Sequence, residues 1–202
     1  MGFGEIVRSK FRASTQRPLR RRRALAFGVA FATLVGGLTL GMPIAANAWA
    51  CTTVPGSTLT YVNPFVGSAN ETQDFSCTRP HSGLDFAKPG YDHFNVVAIK
   101  AGTVVDRGTE SSCHGKYLVV THTDGVEDAE AHLDTLNYTV NQSVLQGDIE
   151  ATTGNTGDCA MGYHMHISTA RNWDTPASDP WNSTSTTLFD PYAFLTAHGA
   201  SL

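Results

Sequence analysis

The sequence predicts a mainly β domain built on an antiparallel β-sheet or sandwich, and three observations lead to that prediction. Short apolar runs rich in β-branched residues recur along this chain of 202 residues, as strands require. Glycines and other turn residues separate the runs, as in hairpins. No segment shows a long apolar stripe of period 3.6, which argues against a helical domain. In chain order the runs are GLDFA, NVVAIKAGTVVDRG, KYLVVTHTDG, DAEAHLDTL, SVLQGDIEATTG and YHMHIST.

The chain begins with the pattern of an export signal. Eight Lys or Arg side chains precede an apolar stretch at residues 24–44. Ala46 and Ala48 then form a small-x-small cleavage site, which predicts a signal peptide over residues 1–48 and a mature chain that starts near Trp49. Two alternatives stay open. The apolar stretch is long enough to be an uncleaved anchor, and RRRRALAF is a loose match to a twin-arginine signal.

Charge differs sharply on the two sides of that cleavage site. Beyond residue 48 the chain holds six basic and 17 acidic residues, a formal charge of −11. Such a protein does not bind nucleic acid by electrostatic attraction. The anionic polymers of a cell wall would also repel it at low salt. A cell-wall substrate would therefore have to be held by contacts within a groove.

The mature chain opens with a loop-rich extension. Residues 49–78 are rich in Thr, Ser, Asn, Pro and Gly and contain only isolated apolar residues, which is typical of loops. The apolar runs follow this extension. We therefore place a folded domain at residues 79–202.

The end of the domain is predicted to contain a loop and then a helix. The composition of residues 171–187 predicts a loop, whose Trp173 and Trp181 either pack on the sheet or line a groove. In the last segment, Pro191 follows an aspartate and is a suitable helix start, while Gly199 is a suitable stop. A short C-terminal helix is therefore expected between them.

All four cysteines follow the predicted signal. An even number of cysteines in an exported chain favours disulfides over free thiols. Of the three pairings that four cysteines allow, we favour Cys51 with Cys77, which would hold the extension, and Cys113 with Cys159, which would join two loops beside the motifs described next.

Three short motifs, HSGLD, AHLD and GYHMH, supply four histidines and an aspartate. His81 and Asp85 are four residues apart and His164 and His166 are two apart, so each pair lies on one face if its stretch is a strand. Zinc in a hydrolase is held by three protein ligands and keeps one position for water. Two histidines and one aspartate match that number. The remaining histidines would be free to move protons or to hold an oxyanion.

The other four histidines have no partner at ligand spacing, so we interpret them as structural. They are His93, His114, His122 and His198. His122 follows an apolar run and precedes a turn, which predicts a position at the end of a strand.

Taken in order, the motifs resemble the lysostaphin-type zinc metalloendopeptidases, which cut peptide cross-links in bacterial peptidoglycan. That family pairs an H-x-x-x-D motif with a downstream H-x-H, matched here by HSGLD and HMH. Between them the family has a strand with an A-H-L core and a G-x-T-G turn, matched by AHL and GNTG. The resemblance covers about residues 79–195. It implies a lysostaphin-like fold of the duplicated hybrid motif type, with an open substrate groove.

The resemblance also implies the roles of five residues. His81, Asp85 and His166 would bind Zn²⁺, while His132 and His164 would be catalytic. The metal would polarise the scissile carbonyl and lower the pKa of water toward about 7. One catalytic histidine would accept or orient a proton and the other, as imidazolium, would stabilise the oxyanion. Sequence alone does not divide these two roles between them.

The implied function is a secreted endopeptidase that hydrolyses peptide bonds in peptidoglycan stem peptides or cross-bridges. Its partner would be peptidoglycan or a peptide substrate, and not nucleic acid. It would act as a monomer in the cell wall or medium, and would contact a membrane only if the N-terminal segment stays uncleaved. Two alternatives are a general secreted protease on Gly-rich proteins and a non-catalytic activator of another cell-wall hydrolase. Family members with the activator role generally lack some site residues, whereas all five are present here.

The chain departs from the family's common pattern in three ways. It has four cysteines, its mature charge is strongly acidic, and it shows no recognisable wall-binding repeat. These departures favour a housekeeping, developmental or general peptidase over a bacteriolytic toxin. The insert at residues 158–163 and the tryptophan-bearing loop are the segments expected to decide which bond is cut.

Overall fold

The computed structural model describes residues 50–76, 81–111, 113–173 and 187–202. The predicted signal segment, Cys77 and Trp181 lie outside these ranges. The strands are β1 (Ala50–Cys51), β2 (Asn70–Gln73), β3 (Leu84–Ala87), β4 (Asn95–Val97), β5 (Gly102–Ser111), β6 (Gly115–His122), β7 (Glu127–Leu136), β8 (Ser143–Val144), β9 (Ile149–Thr153), β10 (Met165–Arg171) and β11 (Thr187–Phe189). Helix α1 spans Pro191–Ala197. Within the described ranges, no helix is long and apolar enough to cross a bilayer.

The strands form one mainly antiparallel sheet, as predicted. Its main path runs β1-β11-β10-β7-β6-β5-β8, and among the pairings named here only that of β1 with β11 is parallel. Strand β3 pairs with β10 and with β2, while β9 pairs with β7 and β4. The sheet is not closed into a barrel, so it leaves an open face where a groove can form.

Strand β7 changes its partner halfway along. Its first half, up to Ala131, pairs with β10. Its second half, from Leu133, pairs with β9 instead. Strand β6 follows the other edge of β7, with an irregular register around the same point. His132 therefore stands where the sheet branches.

The two faces of the sheet are covered by separate hydrophobic clusters. Strand β10 shows the alternation clearly, because Met165 and Ile167 enter the larger cluster while His166 and Ser168 point to the opposite face. The smaller cluster includes Trp173, Tyr117 and Leu188. Trp173 is only 5% exposed, so of the two arrangements predicted for it, packing on the sheet is the one observed.

The segment that precedes the predicted domain packs closely on it. Tyr61 and Phe65 are buried in the larger cluster, and β2 pairs with β3 along the strand that carries Asp85. Most of this segment is loop, in agreement with its composition. It nevertheless contributes aromatic side chains to the core.

The C-terminal helix begins and ends as predicted. The Asp190 carboxylate accepts a hydrogen bond from the backbone N–H of Ala193, which caps the first turn, and Pro191 takes the first helical position. Gly199 follows the helix with φ of 106°, a left-handed conformation that glycine adopts at little cost. Phe194 and Leu195 bury the inner face of the helix.

A disulfide joins Cys113 to Cys159, which confirms the second predicted pairing. Cys113 lies at the tip of the β5–β6 hairpin, and Cys159 lies in the loop between β9 and β10. The bond therefore ties two loops together at one end of the sheet. The other predicted pairing depends on Cys77, which is outside the described residues.

Candidate active site

The structure brings His81, Asp85 and His166 together on one face of the sheet. Asp85 on β3 lies directly opposite His166 on β10 in the register of the two strands, so their side chains share a face. His81 precedes β3 and forms an isolated bridge with Ser76. This close packing requires a glycine at position 83, because a Cβ there would lie 2.6 Å from His166 Nε2.

Asp85 is the centre of this trio. Its Oδ1 atom lies 3.1 Å from His81 Nε2 and 2.9 Å from His166 Nδ1. One ligand atom from each of the three residues can be chosen so that all lie within 4.8 Å of one another. Two ligands of a tetrahedral zinc ion at its usual bond lengths lie about 3.3 Å apart. The spacing of the trio is therefore that of a metal-binding set.

Hydrogen bonds on the far side of each ring decide which nitrogen faces Asp85. His81 Nδ1–H donates to the carbonyl oxygen of Asp74 (2.8 Å), which leaves the Nε2 lone pair directed at the trio. His166 presents Nδ1 instead, and its Nε2–H donates to Ser168 Oγ (2.9 Å). Outer partners of this kind orient ligand imidazoles and raise their basicity. The Asp74 carbonyl could not be named from the sequence.

The chemistry of the donor set fits zinc. Two imidazole nitrogens and one carboxylate oxygen lie close enough together to share one ion, and this is a ligand set that zinc takes in hydrolases. Burial of Asp85 opposes its ionisation, yet hydrogen bonds that His166 and then His81 donate to it, when the ring nitrogens facing it carry protons, outweigh burial and hold its pKa below the usual value. The carboxylate is therefore ionised, as a metal ligand must be.

His132 and His164 lie beside the trio. Their ring centroids are 4.6 Å apart, and His164 Nε2 is 3.7 Å from Asp85 Oδ2. His132 Nδ1–H donates to the carbonyl oxygen of Thr156 (2.9 Å) and His164 Nδ1–H to that of Gly162 (2.8 Å). Both rings therefore keep an Nε2 lone pair that can accept a proton.

His132 has an unusual backbone conformation that explains how its ring reaches this group. In a regular strand its side chain would share a face with Glu130, which is fully buried on the core side. Its φ is 61° instead, a left-handed value that is uncommon for residues other than glycine. This left-handed residue lies where the pairing of β7 changes from β10 to β9. It directs the His132 ring toward His164. Burial lowers the pKa of this ring to about 4.

Of the four histidines interpreted as structural, His114 lies at the site. Its ring centroid is 6.2 Å from those of both His132 and His166. The sequence offered one signal, its position next to Cys113, which a disulfide ties to the loop ahead of His164. Of the others, His122 ends β6 as predicted and is buried, and His198 caps α1.

An open cleft of about 350 Å³ leads to the site. One wall comes from β2 and the end of β3, and the other from the disulfide-anchored loop that includes Met161 and Tyr163. Met161 is 98% exposed, so it is available to touch a substrate. Tyr163 packs edge-on against His93, with ring centroids 4.9 Å apart. The insert singled out in the sequence thus lines the approach to Asp85 and His164.

The chain was compared with models of protein families and with curated proteins. The model of the family described as Peptidase family M23 matches residues 79–180, half of the chain. Two curated relatives, each named murein hydrolase activator NlpD, come from Salmonella dublin and Salmonella typhimurium. Each is 32% identical over 87 residues, which cover 43% of this chain and 22% of theirs. The chain thus spans about a fifth of the length of the curated relatives it matches.

Solved structures show the same fold. A structure from Pseudomonas aeruginosa described as an M23 peptidase has a TM-score of 0.53 at 29% identity, over 71% of this chain and 54% of that one. The antimicrobial peptidase lysostaphin from Staphylococcus simulans has a TM-score of 0.57 at 24% identity, over 71% of this chain and 55% of that one. At that identity the second match is a likeness of fold.

Proposed function

This chain belongs to peptidase family M23, and from that membership we propose that it is a secreted, zinc-dependent endopeptidase that hydrolyses peptide bonds in peptidoglycan. One observation carries the proposal. His81, Asp85 and His166 each place one ligand atom within 4.8 Å of the other two, and two further histidines with accepting nitrogens lie beside them. A metal-binding trio next to groups that can exchange protons is the arrangement that metal-assisted hydrolysis requires.

We assign the metal to His81 Nε2, Asp85 and His166 Nδ1. When bound, zinc supplies a Lewis acid that polarises a carbonyl group and lowers the pKa of water. The chain's own contribution is orientation. Asp74 and Ser168 fix the two rings, and the rigid pairing of β3 with β10 fixes the carboxylate.

We assign proton transfer to His132 and His164. Each ring donates Nδ1–H to a backbone carbonyl, so each offers Nε2 to the substrate side. One accepts a proton from the attacking water, and the other, once protonated, donates a hydrogen bond to the oxyanion of the tetrahedral intermediate. The proton taken from water then passes to the leaving amine nitrogen as the C–N bond breaks, which completes hydrolysis.

We propose peptidoglycan as the substrate, in its stem peptides or cross-bridges. Relatives support this, because two are named murein hydrolase activators and lysostaphin is named an antimicrobial peptidase. The cleft is open to solvent and lined by polar and apolar groups together, which suits a peptide within a polymer. Because the mature chain has a formal charge of −11, contacts in the cleft must outweigh repulsion from anionic wall polymers.

The remaining parts of the chain fit export. We propose that residues 1–48 form a signal that is removed, that residues 49–78 form an extension, and that residues 79–202 form the peptidase domain, which acts as a monomer outside the cell. The disulfide between Cys113 and Cys159 supports an oxidising location. An anchored, outward-facing form is the alternative if the signal is not cleaved.

A second candidate is an activator of another cell-wall hydrolase. The relatives named murein hydrolase activator NlpD favour it, although they match only 43% of this chain. The presence of all five proposed site residues, in a geometry suited to hydrolysis, supports the enzyme over the activator.

The decisive experiment uses the full chain purified under oxidising conditions, with its zinc content measured. Incubation with purified peptidoglycan should release soluble muropeptides, and mass spectrometry of their new termini identifies the bond. Chelation should abolish release and added zinc should restore it. The variant His132→Ala should keep its zinc and release nothing. Release that persists after complete removal of zinc would contradict the mechanism.

Parallel reactions separate the alternatives. A Gly-rich peptide and cross-linked stem peptides, supplied at equal concentration, distinguish a general protease from a peptidoglycan peptidase. If the chain releases nothing alone but increases release by a second wall hydrolase, and His132→Ala does so equally, the activator is the correct function.

A further inference from the structure

His114 occupies the tip of the β5–β6 hairpin and lies next to the proposed catalytic His132 and the proposed ligand His166. Its ring stacks on that of His132 with a centroid distance of 6.2 Å and an interplanar angle of 20°. It lies equally far from the His166 ring, at a steeper angle of 59°. The His114 side chain is partly buried.

The same residue also holds the backbone of His132. The carbonyl oxygen of His114 accepts a hydrogen bond from the backbone N–H of His132 (2.9 Å). That bond acts where β7 takes its left-handed turn, with φ of 61° at His132. Residues other than glycine keep such a conformation only when their surroundings hold them in it.

On its other side, His132 is held by the turn at Thr156. The carbonyl oxygen of Thr156 accepts from His132 Nδ1–H, and its Oγ1 accepts from the backbone N–H of Lys116 (3.0 Å), just beyond the hairpin tip. The tip and the turn touch closely, because a Cβ at Gly115 would lie 2.3 Å from the Thr156 carbonyl carbon. His132 therefore sits between two loops that also contact each other.

The disulfide fastens the same two loops. Besides the covalent bond, the backbone N–H of Cys159 donates to the carbonyl oxygen of Cys113 (3.1 Å). The hairpin tip is thereby fixed on either side of His114, by the disulfide before it and by the packing of Gly115 after it. The His114 ring is therefore held in a fixed position beside His132, where it can restrain the His132 ring.

We infer that His114 is a positioning residue, whose ring restricts the rotation of the His132 imidazole and keeps its Nε2 directed at the substrate. The inference rests on the proposed function, since it assigns a purpose to the orientation of His132. A misplacement of about 1 Å in a reacting group costs about 100-fold in rate. If removal of the His114 ring lets the His132 ring move, the loss in kcat is therefore large enough to be measured.

The test compares three variants in the zinc-loaded full chain. His114→Ala removes the ring, and His114→Phe restores a flat ring for stacking. His198→Ala is the matched control, because it removes another partly buried histidine that packs at a tilt against an aromatic ring, that of Phe194, at the C-terminal helix. Each variant is assayed for zinc content, thermal unfolding, and kcat and KM on soluble cross-linked muropeptide dimers.

We expect His114→Ala to lower kcat by about 10- to 100-fold while KM changes by less than about 3-fold and zinc content stays the same. His114→Phe should recover most of that loss. His198→Ala should lower the unfolding temperature without a comparable change in kcat. A merely structural role for His114 would instead make kcat follow stability across all three variants, and this would overturn the inference, as would an unchanged kcat in His114→Ala.

A crystal structure of His114→Ala decides the question independently of activity. We expect the His132 ring to occupy a changed or second orientation, and an unmoved ring would contradict the inference. If the wild-type protein cleaves no peptide, the proposed function fails by itself, while the crystal structure still reports whether His114 holds His132.

Discussion

His122 and Asp128 form an ion pair in the interior of the domain, with His122 Nε2 2.7 Å from Asp128 Oδ1 and both side chains fully buried. Glu130 and Glu150 lie beside the pair, and oxygens of the three carboxyl groups come within 4.8 Å of one another. Burial, and then the charge of Asp128, raises the pKa of Glu130 and of Glu150 well above the ordinary value. The stability of the core therefore depends on the protonation of these two glutamates.

Raising the pH should destabilise the protein through these two glutamates. A pKa that is higher in the folded state means that folding binds protons, so this contribution to stability is full below about pH 4.5 and is lost as the pH rises toward the folded pKa. Glu150→Gln keeps the shape without the charge. Its free energy of unfolding should increase relative to wild type as the pH rises from about 5 toward the folded pKa of Glu150, by about 1.4 kcal/mol for each unit of pKa difference.

Urea unfolding at a series of pH values, with zinc in excess, measures this effect. Asp92→Asn, a change at an exposed position, serves as the control and should run parallel to wild type. If the Glu150→Gln curve also runs parallel, the buried carboxyl groups do not exchange protons on unfolding and the prediction is wrong.

Ser168→Ala should weaken zinc binding while leaving the three ligands in place. Ser168 Oγ accepts the hydrogen bond from His166 Nε2–H, and removal of such an outer partner costs about 10- to 100-fold in metal affinity. Competition with a chromogenic chelator gives the affinity directly. Thr169→Val, on the same strand but bonded to the Phe189 carbonyl, is the control. Equal zinc affinity in Ser168→Ala and wild type would show that Ser168 does not orient the ring.

His132→Ala and His164→Ala should separate catalysis from metal binding. Each variant should retain zinc, because neither residue is a proposed ligand, and each should lose about 100- to 10,000-fold in kcat. Since the two residues act in one proton-transfer sequence, the double variant should lose little more than the worse single one. Metal analysis and steady-state kinetics on the same preparations measure both properties. Loss of zinc from either single variant would contradict the assignment.

Opening the disulfide should lower both stability and activity. The bond closes a loop with a sequence separation of 46 residues, and a disulfide of that span stabilises a protein by about 2–4 kcal/mol. It also holds the hairpin tip on which the orientation of His132 depends. We expect the double change Cys113→Ser and Cys159→Ser to unfold at lower urea concentration and to have a reduced kcat with zinc still bound. An unchanged kcat in a folded double variant would contradict the predicted loss of activity.

Features that depend on nearby residues could be predicted from the sequence. Alternation of polar and apolar residues predicted β10, and the Asp-Pro start and Gly stop predicted α1. Ser168 could also have been found, because it lies two residues beyond His166 and so shares its face. The pairing of Cys113 with Cys159 was also predicted, although 46 residues separate them, because four cysteines allow only three pairings.

Features that depend on how distant strands meet could not be predicted. The left-handed backbone of His132 results from the change of partner along β7, which no local pattern signals. The predicted disulfide placed the hairpin tip near the loop ahead of His164, but it did not indicate that the His114 ring lies next to His132 and His166. Glu130 and Glu150 look like solvent-facing positions in a strand, and only tertiary packing shows that they are buried together.

The Asp74 carbonyl has a practical consequence for work with shortened proteins. It belongs to a segment that lies before the family match at residues 79–180, yet it holds His81, while Tyr61 and Phe65 from the same segment fill the core. A fragment cut at the family boundary would keep every proposed ligand and still lack the group that aims one of them. Domain limits drawn from sequence alignment are thus too short for this chain, and the smallest fragment worth expressing begins before Tyr61.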